Sequence, residues 1–138
     1  MALAFPAPGG QETGRNPTHR GKLGSKRHIV VDALGIPLAI TATGANRHDS
    51  MAFEATLNAI PAVPGLSGQP RKRPSKLHAD KDYDFARWRR YLKQRGIKVR
   101  LTSCGVESSE QLGRHHWVVE RTHAWLASFG RLRIRFER

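Results

Sequence analysis

The chain has 138 residues, 38% hydrophobic and 25% charged, enough to bury one core and too few for two. Lysine and arginine number 24 against 11 aspartates and glutamates, a formal charge of +13, which favours a polyanionic partner and nucleic acid first. The single cysteine, Cys104, excludes an internal disulfide and a cysteine-rich zinc module; no apolar run is long enough to span a membrane or to form a signal peptide, so a cytoplasmic, nucleoid-associated protein is expected.

Residues 1–26 are rich in Gly, Pro, Thr and basic side chains without apolar periodicity, which predicts an irregular basic arm. An ordered domain is expected over 27–138. "RHIVVDA" and "IPLAITAT" are β-branched runs on either side of a turn at "LG", with Pro37 at a strand entry, and predict a hairpin. In "GANRHDSMAFEATLNAI", Asp49 or Ser50 is the expected cap, and Phe53, Leu57 and Ile60 fall on one helical face. A Pro/Gly/Ser loop carrying Arg71, Lys72 and Arg73 follows, then "KLHAD" as a short strand. Phe85, Trp88 and Leu92 repeat at helical spacing before Gly96, a C-terminal cap, and "IKVRL" alternates as a strand. Val118, Thr122, Trp125 and Phe129 make the apolar stripe of a last helix, while Arg131, Arg133 and Arg135 alternate with Leu132, Ile134 and Phe136 as in an extended strand with one basic edge.

Two carboxylates stand out. Asp80 ends a predicted strand, where ligand sites of α/β sheets lie, and is too early to cap the next helix, a task that suits Asp84 with help from Asp82. Glu120 shares a helical face with His116 and His123, so it could pair with those histidines within the helix, join them in a zinc site, or belong to a metal site that acts on nucleic acid. The local pattern alone leaves the intrahelical pairing as the simplest reading. Four basic clusters, at 71–73, 87–90, 93–100 and 131–138, exceed what solubility requires. Phosphate contact explains them better than base reading, because no helix-turn-helix or zinc-finger pattern is present.

In order along the chain, "GSKRHIVVDALGIPLAITATGANRHDS", "KLHADKDYD" and "LGRHHWVVERTHAWL" resemble the catalytic domain of DDE-type bacterial insertion-sequence transposases of the insertion sequence five group. The likeness runs from about Gly9 to Arg138 and implies an α/β, ribonuclease H-like mixed sheet flanked by helices. It also implies DNA strand cleavage and strand transfer by three carboxylates that hold two Mg²⁺ or Mn²⁺ ions. Two ions ~4 Å apart activate the attacking oxygen and stabilise the leaving one. By motif, Asp80 and Glu120 are the second Asp and the Glu, serving as catalytic residues and metal ligands. Lys81, Arg114, His116 and Arg121 lie nearest them in sequence, and with Arg71, Lys72, Arg73, Arg131, Arg133 and Arg135 form the expected DNA-binding set.

The family's first Asp lies on a strand ahead of the segment matching "GGQETGRNPTHRGKLGSK", a place taken here by "MALAFPAP", which has no acid. Asp32 is not a substitute, since it sits one strand away, roughly 4.8 Å to the side. Asp82 replaces a usual Gly, His116 a usual basic residue, and Ser128 and Gly130 stand where arginines are common. The expectation is therefore a partial domain without its first strand, inactive alone and weak in metal binding. Self-association, or mixed oligomers with an intact transposase, would be open to it, and a non-catalytic DNA-binding remnant that interferes with such a transposase is the alternative.

Overall fold

A computed structural model describes residues 2–64, 68–101 and 109–134; the side chains of 81, 101 and 109–116 are not among those described. The fold is α/β. The predicted hairpin is its centre. Strand β3 (Leu23–Val31) runs antiparallel to β4 (Pro37–Gly44), from Ser25 opposite Gly44 to Val31 opposite Pro37, with an irregularity after Val30. Their turn is closed by Asp32, whose backbone pairs with Gly35 and Ile36 and whose Oδ1 accepts the amides of Leu34 at 2.8 Å and Ile36 at 2.9 Å. Gly35 sits at φ +90°, a conformation that glycine adopts without a Cβ penalty.

Two expectations fail at the N-terminal end. The segment read as an irregular arm contains strand β1 (Ala2–Pro6) and the short β2 (Gly14–Arg15), and β3 starts at Leu23 rather than Arg27. The domain is also not without a strand ahead of the hairpin, because β1 lies antiparallel to β3, with Ala2 opposite His28 and Pro6 opposite Gly24. Ala-Leu-Ala-Phe-Pro has weak strand propensity of its own; the edge of β3 supplies the hydrogen bonds that hold it extended. Two tertiary contacts reinforce this end: the Arg27 guanidinium lies 4.9 Å from the centre of the Phe5 ring, and Ser25 Oγ donates to the Glu12 carbonyl at 2.6 Å.

After a 3-10 turn (Asp49–Ala52), helix α1 (Phe53–Asn58) buries Phe53 and Leu57, and Ile60 follows them into the core as the spacing predicts. Neither Asp49 nor Ser50 caps α1, whose cap position is Ala52; His48 caps the 3-10 turn, its ring accepting from the Ser50 amide, and Asp49 is ion-paired with Lys26 at 2.8 Å. Strand β5 (Lys76–Ala79) pairs in parallel with β6 (Lys98–Leu101), and helix α2 (Ala86–Gln94) connects them. Trp88 and Leu92 enter the core with Phe53, Leu57, Tyr83 and Ile97. Asp84 does not cap α2. Phe85 holds the cap position, and Asp84 instead grips Arg89 through both carboxylate oxygens at 2.5 and 2.8 Å. Gly96, at φ +65°, ends the helix as expected.

Among the described residues the strands fall into a four-stranded antiparallel sheet and a two-stranded parallel one, not one mixed sheet. Helix α3 (Ser109–Ser128) packs on β3, and among its described side chains Val118, Thr122 and His123 are buried. Trp125 and Phe129, expected in the apolar stripe, are 53% and 62% exposed, because the described neighbours cover only the preceding turns. The chain then forms a short helix α4 (Gly130–Arg133), not the expected strand. Its Leu132 carbonyl accepts from Arg27 Nη2. Arg135 lies outside the described residues.

Candidate active site

Asp80 follows the last residue of β5 and is half-buried. Its carbonyl accepts the Tyr83 amide at 3.0 Å, which winds Lys81–Tyr83 into a 3-10 turn. Tyr83 is buried with its ring 5.4 Å from that of Phe53, so the core anchors the turn that carries the acid. Burial pushes the Tyr83 phenol above its ordinary range, and the carboxylates of Asp49, Asp80 and Asp82 push it the same way. Tyr83 escaped the sequence reading as a site neighbour, although "KDYD" placed it three residues from the acid.

Glu120 is held from the other side. On the flanking positions of α3, Thr122 Oγ1 reaches the Gly35 carbonyl at 2.8 Å, and Arg121 Nη2 donates to the Leu34 carbonyl at 2.6 Å. The Arg121 guanidinium lies between two indoles, 4.4 Å from Trp117 and 4.7 Å from Trp125. Spacing of four residues on either side of an arginine is the sequence signal for this stack. Arg121, expected near a phosphate, thus clamps α3 to the turn between β3 and β4. Glu120 itself is exposed, whereas His123, three residues on, is buried. His116 and Arg114 have side chains outside those described, as has Lys81.

Neither Asp80 nor Glu120 is among the residues that line a cavity of about 830 Å³, but their chain neighbours are. Ala79, next to Asp80, lines it together with Val118 and Val119, next to Glu120. Arg71, Lys72 and Arg73 line it too, and all three are exposed. Arg73 is fixed there by its Nη1, which donates to the Arg95 carbonyl at 2.8 Å. The structure therefore gathers the first basic cluster and the segments bearing both acids around one groove. Arg131 and Arg133 are exposed on α4 and do not line it. Asp32 borders the groove, and its Oδ1 accepts the amides of Leu34 and Ile36 in the hairpin turn.

The family model described as "Transposase DDE domain" matches residues 4–138. The chain belongs to this transposase family. A Burkholderia cepacia protein named as a transposase for insertion sequence element IS402 is 51% identical over 130 residues, which cover 94% of this chain. The chain spans 62% of that relative's length. No solved structure matches. No helix among the described residues is long and apolar enough to cross a membrane.

DDE chemistry implies divalent metal ions, and the donors present suit them only in part. Carboxylate oxygens are the hard ligands that Mg²⁺ prefers, and Asp80 and Glu120 supply them from segments bordering one groove. Among the described residues, however, no group of three or more His, Cys, Asp or Glu is placed to hold a metal ion. A complete three-carboxylate centre is not formed by these residues alone.

Proposed function

We propose that the chain is a piece of the catalytic domain of an insertion-sequence-five-group DDE transposase, ribonuclease H-like in fold, with Asp80 and Glu120 as two of its three metal-binding carboxylates. The observation that carries this reading is the convergence of the Ala79 and Val118–Val119 segments on one groove in a chain matched to the family along almost its whole length. When bound, Mg²⁺ or Mn²⁺ would supply the charge that steadies an in-line displacement at phosphorus. The chain's own share is placement: Tyr83 and its turn fix Asp80, Arg121 and Thr122 fix Glu120, and Arg71, Lys72 and Arg73 draw a DNA backbone toward the groove. Two carboxylates hold a metal pair poorly, so the chain alone does not cleave.

The test exchanges this chain for the matching region of the Burkholderia cepacia relative and measures nicking of supercoiled plasmid in Mg²⁺. The exchanged protein nicks, and Asp80→Ala or Glu120→Ala each abolishes the reaction while leaving gel-shift binding in place. Nicking that survives both substitutions would remove these residues from the centre. Nicking by the isolated chain that vanishes in both variants would instead overturn its predicted inactivity.

A further inference from the structure

Strand β4 has a strand partner on one side only. It pairs with β3, and among the described residues no strand lies along its other edge. Helix α1 packs on one face of β4, where Thr41 Oγ1 and Thr56 Oγ1 stand 2.6 Å apart, which covers that face and not the edge. From Ala39 to Thr43 the register with β3 is regular; Pro37 and the irregularity beside Leu38 fall at the strand's entry. A free edge is ordinarily guarded by a charged side chain, a proline or a bulge. Ala39–Thr43 reads Ala-Ile-Thr-Ala-Thr and has none of these, although 25% of the chain is charged.

The other face of this stretch is also unfinished. Ile40 stands opposite Ile29 and Ala42 opposite Arg27, on the face where Arg27 reaches the Leu132 carbonyl beyond α3. Ile29 is 3% exposed, whereas Ile40 is 49% exposed and Ala42 is exposed as well. Val119, on one flank of α3, lines the cavity toward β5, and the helical period puts Arg121 and the half-exposed Trp125 on the flank toward β4.

A second copy of the chain fits this edge by symmetry. A two-fold axis normal to the sheet brings the same edge alongside in antiparallel sense, as in an isologous pair. Centred on Thr41, the axis sets Ile40 against Ala42 of the second copy and Ala42 against its Ile40, a large side chain facing a small one twice over. Three strand intervals of ~4.8 Å then part the two β3 strands, so the α3 helices above them lie ~14 Å apart. Helices in direct contact lie ~8–10 Å apart, which leaves ~5 Å for the indoles of Trp125 and the side chains of Ile40 to fill. Charge favours the same place. Each copy carries +13, and an uncharged strip is where two of them approach at least cost. Five residues at ~3.3 Å span ~17 Å, and a contact that long through a sheet with a helix layer on each face, roughly 30 Å deep, covers ~500 Å² per copy. About 1,000 Å² in total is the lower end for a specific pair, so the association is reversible.

We propose that the β4 edge, Ala39–Thr43, is a dimerisation surface whose occupant is the same edge of a second copy, joining the two antiparallel sheets into one. The inference goes beyond the transposase reading and draws on neither Asp80 nor Glu120.

Sedimentation equilibrium of the full chain between about 1 and 100 μM brackets the affinity that such an area supports. The chain passes from monomer to dimer in that window, and salt tightens the pair by screening the repulsion between two cationic copies. Ala42→Lys, at an exposed position, keeps the circular dichroism of the folded chain and weakens the dimer about tenfold or more. Register gives a second reading. With Cys104→Ser throughout, Ile40→Cys and Ala42→Cys chains cross-link when mixed, because directly opposed residues lie ~4.5–5.5 Å apart. Either variant alone would have to bridge a diagonal of ~7–8 Å and does not cross-link. A chain that stays monomeric across the window overturns the proposal, as does a dimer that salt loosens or that Ala42→Lys leaves intact. Equal cross-linking by single and mixed chains, or none by either, overturns it too.

Discussion

Replacing Gly35 by alanine strikes the point where the hairpin turn meets α3. At φ +90° a side chain carries a backbone penalty of about 1–3 kcal/mol. The added Cβ would also stand 2.9 Å from Arg121 Nη2 and 3.2 Å from both Thr122 Oγ1 and Val118 Cγ1. The arginine tip can move aside, but only by loosening its bond to the Leu34 carbonyl. Thr122 is almost fully buried and donates to the carbonyl of Gly35 itself, so it has little freedom to retreat. Disturbing that bond adds about 1 kcal/mol, for a total of roughly 2–4 kcal/mol. Urea unfolding of Gly35→Ala measures the loss, with Leu34→Ala as control, since Leu34 is 72% exposed and its truncation should stay within about 0.5 kcal/mol. Amide exchange along α3 should quicken in Gly35→Ala beyond the global change. A Gly35→Ala protein as stable as its control would refute the claim that this turn docks the helix bearing Glu120.

Two further outcomes follow from charge. Burial pushes the His28 imidazole from 6.5 down to about 4, against the pull of Asp49, so the folded protein holds this ring neutral. Its contribution is complete above pH 6.5 and is lost as pH falls toward 4, about 3 kcal/mol in all; chemical denaturation across that window should show a decline that flattens in His28→Gln. DNA binding should weaken steeply with salt, and Arg71→Ala, Lys72→Ala and Arg73→Ala together should make the log–log slope shallower by about 2–3; an unchanged slope would place those side chains off the DNA.

Much of the scaffold was legible because burial leaves periodic marks. The β-branched alternation around Ile29 and Val30, the helical spacing of Phe53, Leu57 and Ile60, and the Trp88–Leu92–Gly96 series each found their predicted element. What escaped was decided by distant partners. The Ala2–Pro6 strand owes its form to the β3 edge, and the exposure of Trp125 and Phe129 depends on what α3 meets, which spacing along one helix does not encode. His48 is not a usual capping residue, yet it caps the 3-10 turn, while Asp49 pairs with Lys26, a residue twenty-three positions earlier that local sequence does not place beside it. The alternating basic tail fits a strand by period, yet it starts as a helix after Phe129. The groove was invisible locally. Neither acid's neighbourhood announces it, and only the family motifs joined residues 80 and 120 before the fold brought their segments to one cavity.

The most direct test of the proposed centre is whether Asp80 and Glu120 act on the same ion. Titrating the isotopically labelled chain with Mn²⁺ and recording paramagnetic broadening of its amide signals answers this at the weak affinity expected of two carboxylates. Signals from 79–82 and 119–121 should broaden together, and Asp80→Asn should release both sets. Broadening of one set without the other, or persistence at 119–121 after Asp80→Asn, would show that the two acids do not share a site.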